Sequence, residues 1–171
     1  RKNGDSAVKK YERKFNGRKT SQLRVSAKEI KEAQSKISSE ELNALKRIQH
    51  FLTISSESLR DYLQGYERWS VEQSHPGEYN EGSTFIPISS VGCYIPGGQA
   101  RYPSSVVMSV VPAKVAGVKK IVVVSPPGRD GKIDPLTIVA AKMCGATEIY
   151  KVGGAQAIGA LAYGTKSISK V

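Results

Sequence analysis

Two glycine-rich turns are the parts of this 171-residue sequence whose residue types and spacing could do chemistry. Pro96-Gly97-Gly98 follows a short apolar run, and Gly153-Gly154 follows the stretch "TEIYKV". A helical pattern begins after each turn. The first turn of a helix offers unpaired N–H donors and a positive dipole end, which suit an anionic or amide-bearing ligand. Tyr94 and Gln156 stand in these two turns and are the candidate binding residues.

These residues allow two interpretations. Tyr94 could stack on a ring or hydrogen-bond a ribose, and Gln156 could donate and accept a hydrogen bond at once. Alternatively, Gly153-Gly154 permits only tight strand–helix packing, and Tyr94 is a half-buried strand aromatic. The residue pattern by itself leaves both open.

Two familiar phosphate-binding signatures are not found. No G-x-G-x-x-G follows a predicted strand, which argues against the usual dinucleotide-binding turn. The spacing from Gly159 to Gly164 suits a Walker A sequence, but "GTK" reverses the required order of Lys and Ser or Thr. This stretch also lies at the wrong end of the helix.

The sequence shows no constellation for acid–base or metal chemistry. His50 and His75 each lack a second His, Cys or acidic residue at ligand spacing. Cys93 has no partner that could activate it, and Cys93 and Cys144 fit reduced thiols of a cytosolic protein. We therefore expect no catalytic residue and no metal ligand in this chain.

The net charge of +11 raises an alternative function, a non-catalytic nucleotide- or nucleic-acid-binding module. Positions 1–24 carry nine Lys or Arg residues against two acidic residues, Asp5 and Glu12. We favour a solvated helix face, because no aromatic platform or base-reading motif accompanies the charge. No apolar run is long enough for a membrane span or a signal peptide, so we expect a cytoplasmic protein without membrane contact.

The first 65 residues read as mainly helical. Val8, Tyr11 and Phe15 form an apolar stripe on the first helix. Ser26 and Glu29 have the spacing of a capping box that opens a second helix running to about residue 36, and a third helix starts near residue 38. Positions 69–95 alternate polar and apolar residues around His75-Pro76-Gly77, which predicts short antiparallel strands.

From about residue 91 the pattern alternates strand and helix. The β-branched run "KKIVVVS" is typical of a strand buried on both faces of a parallel sheet. The sequence thus predicts an α/β fold: an incomplete Rossmann-like parallel sheet, preceded by a mainly helical segment with short antiparallel strands. We place a domain boundary near Ser89-Ser90. Residues 1–90 would be the first part of one α/β domain, and residues 91–171 a truncated Rossmann-like domain.

Three blocks carry a family resemblance: "GDSAVKKYERKFNG", "VGCYIPGGQARYPSSVVMSVVPAKVAGVKKIVVVSPPGRDGKIDP" and "EIYKVGGAQAIGALAYGT". Together they resemble histidinol dehydrogenase. The resemblance implies a zinc-dependent, homodimeric oxidoreductase of histidine biosynthesis, a branch of amino-acid biosynthesis. Such an enzyme oxidises L-histidinol through L-histidinal to L-histidine and reduces two NAD.

The resemblance also implies which site residues this chain holds. Tyr94 and Gln156 match the NAD-contacting tyrosine and glutamine of the family, which makes residues 91–171 the NAD-contacting domain. The family's zinc ligands and proton-transferring residues are expected beyond Val171. The chain is therefore expected to be an internal segment, without the N-terminal start and the C-terminal catalytic half, and inactive by itself.

Overall fold

A computed structural model describes residues 2–17, 22–72, 85–97 and 100–171, and for residues 16 and 66–72 it describes the backbone alone. The described residues form helices and strands in an order that alternates strand and helix after residue 90. The elements are α1 (Gly4–Asn16), α2 (Ala27–Gln34), α3 (Ser39–Glu72), β1 (Ser90–Tyr94), α4 (Pro103–Val115), β2 (Lys120–Ser125), α5 (Pro135–Cys144), β3 (Glu148–Lys151) and α6 (Gly154–Tyr163).

The three strands form a parallel sheet in the order β1-β2-β3, which confirms the predicted Rossmann-like architecture. Strand β2 is central and lies between two hydrophobic clusters. Ile121 and Val123 belong to one cluster, and Val122 and Val124 belong to the other. Successive side chains of a strand point to opposite faces, so a β-branched run fits a strand covered on both sides.

The helices divide between the two faces of the sheet. Helices α2, α3, α4 and α5 contribute to the first cluster, and α1 and α6 contribute to the second. Helix α1 packs on α6, α2 on α5, and α3 on α4. The helices that precede Ser89-Ser90 thus pack on elements that follow it, and the domain boundary at that point stays a prediction.

A short extended segment covers the outer edge of β3. The N–H of Val25 donates to the carbonyl of Ile149 at 2.8 Å, and the N–H of Lys151 donates to the carbonyl of Leu23 at 2.7 Å. The pairing is antiparallel at Arg24. Sequence patterning did not predict it, because three paired residues are too few to show a periodicity. The pairing gives hydrogen-bond partners to backbone N–H and C=O groups that would otherwise be unpaired at the edge of the sheet.

The predicted antiparallel strands of positions 69–95 are wrong where the structure describes them. Residues 69–72 continue α3, and β1 pairs in parallel with β2. The turn His75-Pro76-Gly77 lies outside the described residues. Helix α3 also runs past Thr53, whose hydroxyl donates to the carbonyl of Gln49 at 2.8 Å and so stays satisfied within the helix. Short alternating stretches do not outweigh the cooperative extension of a helix that is already formed.

Among the described residues, no helix combines the length and the apolar character that crossing a membrane requires.

Candidate functional site

The candidate site lies where the loops after the three strands meet. A Cβ atom built on Gly153, after β3, would stand 2.5 Å from Cγ of Pro126, which follows β2. A Cβ atom on Gly97, after β1, would stand 2.7 Å from the Ser125 hydroxyl oxygen. Glycine at these positions allows the loops to touch. Ligands of open parallel sheets bind at this carboxyl edge of the strands.

The N-terminus of α6 brings the two predicted residues to one place. Gly154 begins the helix with a φ of 62°, in the left-handed region that favours glycine. Its N–H donates to the Tyr94 hydroxyl oxygen at 3.0 Å. The Tyr94 side chain remains accessible, with 37% of the residue surface exposed.

The Gln156 amide folds back over the same turn. A Cβ atom on Gly154 would stand 2.8 Å from Gln156 Oε1, so the glycine also makes room for the amide. Gln156 Nε2 donates to Glu12 Oε1 at 2.8 Å. The same oxygen of Glu12 accepts from the N–H of Gly153 at 2.9 Å. The Gln156 amide thus lies against the exposed Gly154 and is hydrogen-bonded to helix α1.

Glu12 is a residue of this candidate site that the sequence does not point to, because it stands in a segment dominated by basic residues. It is fully buried, whereas Tyr11 and Phe15 of the predicted apolar stripe are 43% and 65% exposed. The buried face of α1 instead carries Val8 and Glu12. These two are spaced i and i+4, and this spacing was the one available signal in the sequence.

The first turn of α6 keeps further donors. The backbone N–H groups of Ala155 and Gln156 meet no acceptor among the described residues. These two N–H groups, the Tyr94 hydroxyl and the Gln156 amide together place several hydrogen-bonding groups at the N-terminus of α6.

The other chemistry-bearing side chains lie apart from this turn. Burial raises the pKa of the Cys93 thiol, and burial raises the pKa of Cys144 to about 11 despite a nearby Lys114. His50 is exposed on α3, and His75 lies outside the described residues. In the part of the chain that the structure describes, no three His, Cys, Asp or Glu side chains gather as a metal site.

A parallel sheet with helices on both faces and a glycine turn at its carboxyl edge defines a Rossmann-like α/β protein. The family model of histidinol dehydrogenase matches residues 1–171. The chain belongs to the histidinol dehydrogenase family.

Individual relatives agree with this membership. The chain is 45% identical to histidinol dehydrogenase of Methanococcus maripaludis over 175 aligned positions, covering 99% of this chain and 38% of the relative. It is 43% identical to that of Geobacillus kaustophilus, covering all of this chain and 39% of the relative. The chain therefore spans less than two fifths of the length of these curated relatives.

A solved structure shows the same fold. The crystal structure of histidinol dehydrogenase from Elizabethkingia anophelis matches with a TM-score of 0.74 and 32% sequence identity. The match covers 98% of this chain and 37% of that one.

Proposed function

We propose that this chain supplies the cofactor-contacting part of an NAD-dependent histidinol dehydrogenase. The reaction is the zinc-dependent, four-electron oxidation of L-histidinol to L-histidine with two NAD, in histidine biosynthesis. Membership of the family supports the reaction. One observation supports the assignment to this turn: the Tyr94 hydroxyl and the Gln156 amide both lie against Gly154, the first residue of α6.

Each residue has a defined task in this proposal. The Tyr94 oxygen accepts from the Gly154 N–H, so its own O–H is available to donate to the cofactor. Gln156 Nε2 is held by Glu12, so its oxygen is available as an acceptor. When bound, NAD accepts hydride, and these side chains bind and orient it.

The remaining parts of the proposal concern the larger enzyme. Residues 1–90 and 91–171 belong to two α/β domains, and the second contacts NAD. The enzyme is a cytoplasmic homodimer that binds neither nucleic acid nor membranes. We propose that the zinc ligands lie outside the described residues, among which no three His, Cys, Asp or Glu side chains gather, and we place no catalytic residue in this chain. The chain should accordingly form no NADH from L-histidinol in the presence of zinc.

Titration of NAD into the purified chain tests the assignment. Gln156→Ala and Tyr94→Phe should each weaken NAD binding by about 5–10-fold, because a hydrogen bond contributes about 1 kcal/mol. Gln34→Ala and Tyr62→Phe make the same chemical changes at exposed positions on α2 and α3 and should leave the affinity unchanged. Equal NAD affinity in all four variants would contradict the proposed site.

The salt dependence separates this function from the nucleic-acid-binding alternative. A single NAD molecule displaces few counterions, so its affinity should change little between low and moderate salt. Binding of a nucleic acid to the basic N-terminal segment should weaken steeply over the same range. Tight DNA binding by a chain that does not bind NAD would favour the alternative.

A further inference from the structure

Helix α3 carries a row of large apolar side chains that no other described residue covers. Its packed face lies on α4 and includes Leu45, which is buried. On another face, four residues have between 41% and 72% of their surface exposed: Ile48, Phe51, Leu59 and Tyr62. We call these four residues, together with Ser55 between them, the α3 stripe. A contiguous exposed row of this kind marks an interaction surface.

The α3 stripe is symmetric about Ser55. Phe51 and Leu59 lie four residues before and after it, and Ile48 and Tyr62 lie seven residues before and after it. Four and seven residues are about one and two turns of an α-helix, so the five side chains share one face. Ser55 is exposed, and its small side chain at the centre lets another helix approach closely.

This symmetry fits an antiparallel copy of the same helix. A two-fold axis at Ser55 places Phe51 opposite Leu59 of the second copy, and Ile48 opposite its Tyr62. Every large apolar side chain of the stripe then meets another one. Because the contact is isologous, each of these pairs occurs twice.

The charges beside the stripe are complementary in the same arrangement. Arg47 and Asp61 are exposed and 14 residues apart, about four helical turns, so they lie on the same flank of α3. Antiparallel pairing brings Arg47 of one copy to within about 3 Å of Asp61 of the other, measured along the helix axis. Arg47 forms no ion pair within the described part of the chain, whereas parallel pairing would set it against a second Arg47.

The apolar area is sufficient for a specific dimer. The exposed parts of the four large side chains amount to roughly 500 Å² per copy, given about 150–250 Å² for a large side chain. Two copies therefore remove about 1,000 Å² from water, which is the lower end for a specific interface. Phe85 and Ile86 are also exposed and line a groove of about 800 Å³ with Leu59, so the apolar surface continues beyond the stripe.

We propose that the α3 stripe is a contact between two copies of this chain, paired antiparallel about a two-fold axis at Ser55. The inference rests on the homodimer in the proposed function and gives that homodimer a surface. It involves neither Tyr94 nor Gln156, so the cofactor site and the dimer contact can be tested separately.

Sedimentation equilibrium of the purified 171-residue chain tests the contact. We expect a monomer–dimer equilibrium. Phe51→Glu should raise the dimer dissociation constant by about 100-fold or more, because pairing would then desolvate two unpaired carboxylates. Phe15→Glu makes the same change at an exposed position on α1 and should leave the constant unchanged. Circular dichroism should show both variants folded, since each replaced side chain is largely exposed.

Charge reversal tests the antiparallel register. Arg47→Glu and Asp61→Arg should each weaken the dimer by about 3–10-fold, because each dimer loses two ion pairs at the rim. A chain with both changes should return to within about threefold of the original constant, since the reversed charges pair again. Diamide oxidation should link two copies of Ser55→Cys by a disulfide but not two copies of His50→Cys, which lies on another face of α3.

Three outcomes would overturn the proposal. A chain that stays monomeric would show that the stripe does not pair with itself and would leave it to another part of a longer protein, such as the relatives have. A dimer that Phe51→Glu does not weaken would be formed through another surface. Failure of both the charge-reversal rescue and the Ser55→Cys linkage would exclude the antiparallel register.

NAD titration separates this inference from the proposed cofactor site. Phe51→Glu should keep NAD affinity within about twofold of the unchanged chain, because distant sites act independently. If Gln156→Ala leaves NAD binding unchanged while Phe51→Glu still abolishes the dimer, the cofactor site is wrong and the α3 contact stands. If Gln156→Ala weakens NAD binding while the chain is monomeric, the cofactor site stands and the α3 contact is wrong.

Discussion

Replacement of Gly153 by alanine should destabilise the chain by overpacking the contact between two loops. The new Cβ atom would stand 2.5 Å from Pro126 Cγ, 2.7 Å from its Cβ and 3.2 Å from its Cα. Carbon atoms in good contact are about 3.5–4.0 Å apart. The proline ring and its backbone have no rotamer that moves them away, so the loops must separate. Overpacking of this kind costs about 1–3 kcal/mol.

The cost at Gly153 is purely steric. Its φ of −128° and ψ of −173° are extended backbone that alanine also adopts. Gly159, inside α6, is a matched control because a Cβ atom there meets nothing within 4 Å. Gly159→Ala should stabilise the chain by about 0.5–1 kcal/mol, since alanine favours a helix interior over glycine. The same substitution should thus lower the free energy of unfolding at Gly153 and raise it at Gly159.

Urea denaturation followed by circular dichroism at 222 nm measures both effects. We expect a lower midpoint for Gly153→Ala and a higher one for Gly159→Ala, with equal slopes. Gly153→Ala should also weaken NAD binding by folded protein, because the start of α6 moves relative to Tyr94. A Gly153→Ala midpoint at or above that of the unchanged protein would refute the steric argument.

Two further predictions follow from ionisable groups. Burial by itself would raise the pKa of Glu29, but hydrogen bonds from Lys151 and Ser26 outweigh it and hold that pKa below its ordinary 4.5. Glu29 therefore contributes stability above pH 4.5 that is lost as the pH falls through its lowered folded pKa. Urea midpoints of Glu29→Gln should fall less than those of the unchanged chain from pH 6 to 3, and parallel curves would contradict this. Because burial raises the pKa of Cys93 and Cys144, iodoacetamide at pH 8 should label both thiols only when urea unfolds the chain. Mass spectrometry measures the labelling, and labelling of either cysteine in the folded chain would contradict this prediction.

Local features of the fold could be predicted because their signals lie within a few residues. The Ser26 N–H donates to the Glu29 carboxylate at 2.8 Å, and the Glu29 N–H donates to the Ser26 hydroxyl at 3.2 Å, as the capping-box spacing indicated. Asp134 caps α5 by accepting from the Thr137 N–H, three residues on. The β-branched composition of β2 is enough to predict a strand that is buried on both faces.

The family and the two glycine turns could likewise be predicted from the residues, and Tyr94 and Gln156 could be named as candidate binding residues. Their mutual arrangement was not. The Tyr94–Gly154 hydrogen bond joins positions 60 residues apart, and the Gln156–Glu12 hydrogen bond joins positions 144 apart. A sequence pattern reports on the period of one helix or strand and carries no distance between elements. Glu12 is an acidic residue in a mainly basic segment. Only the packing of α1 on α6 buries it at the N-terminus of the helix that also carries Gln156.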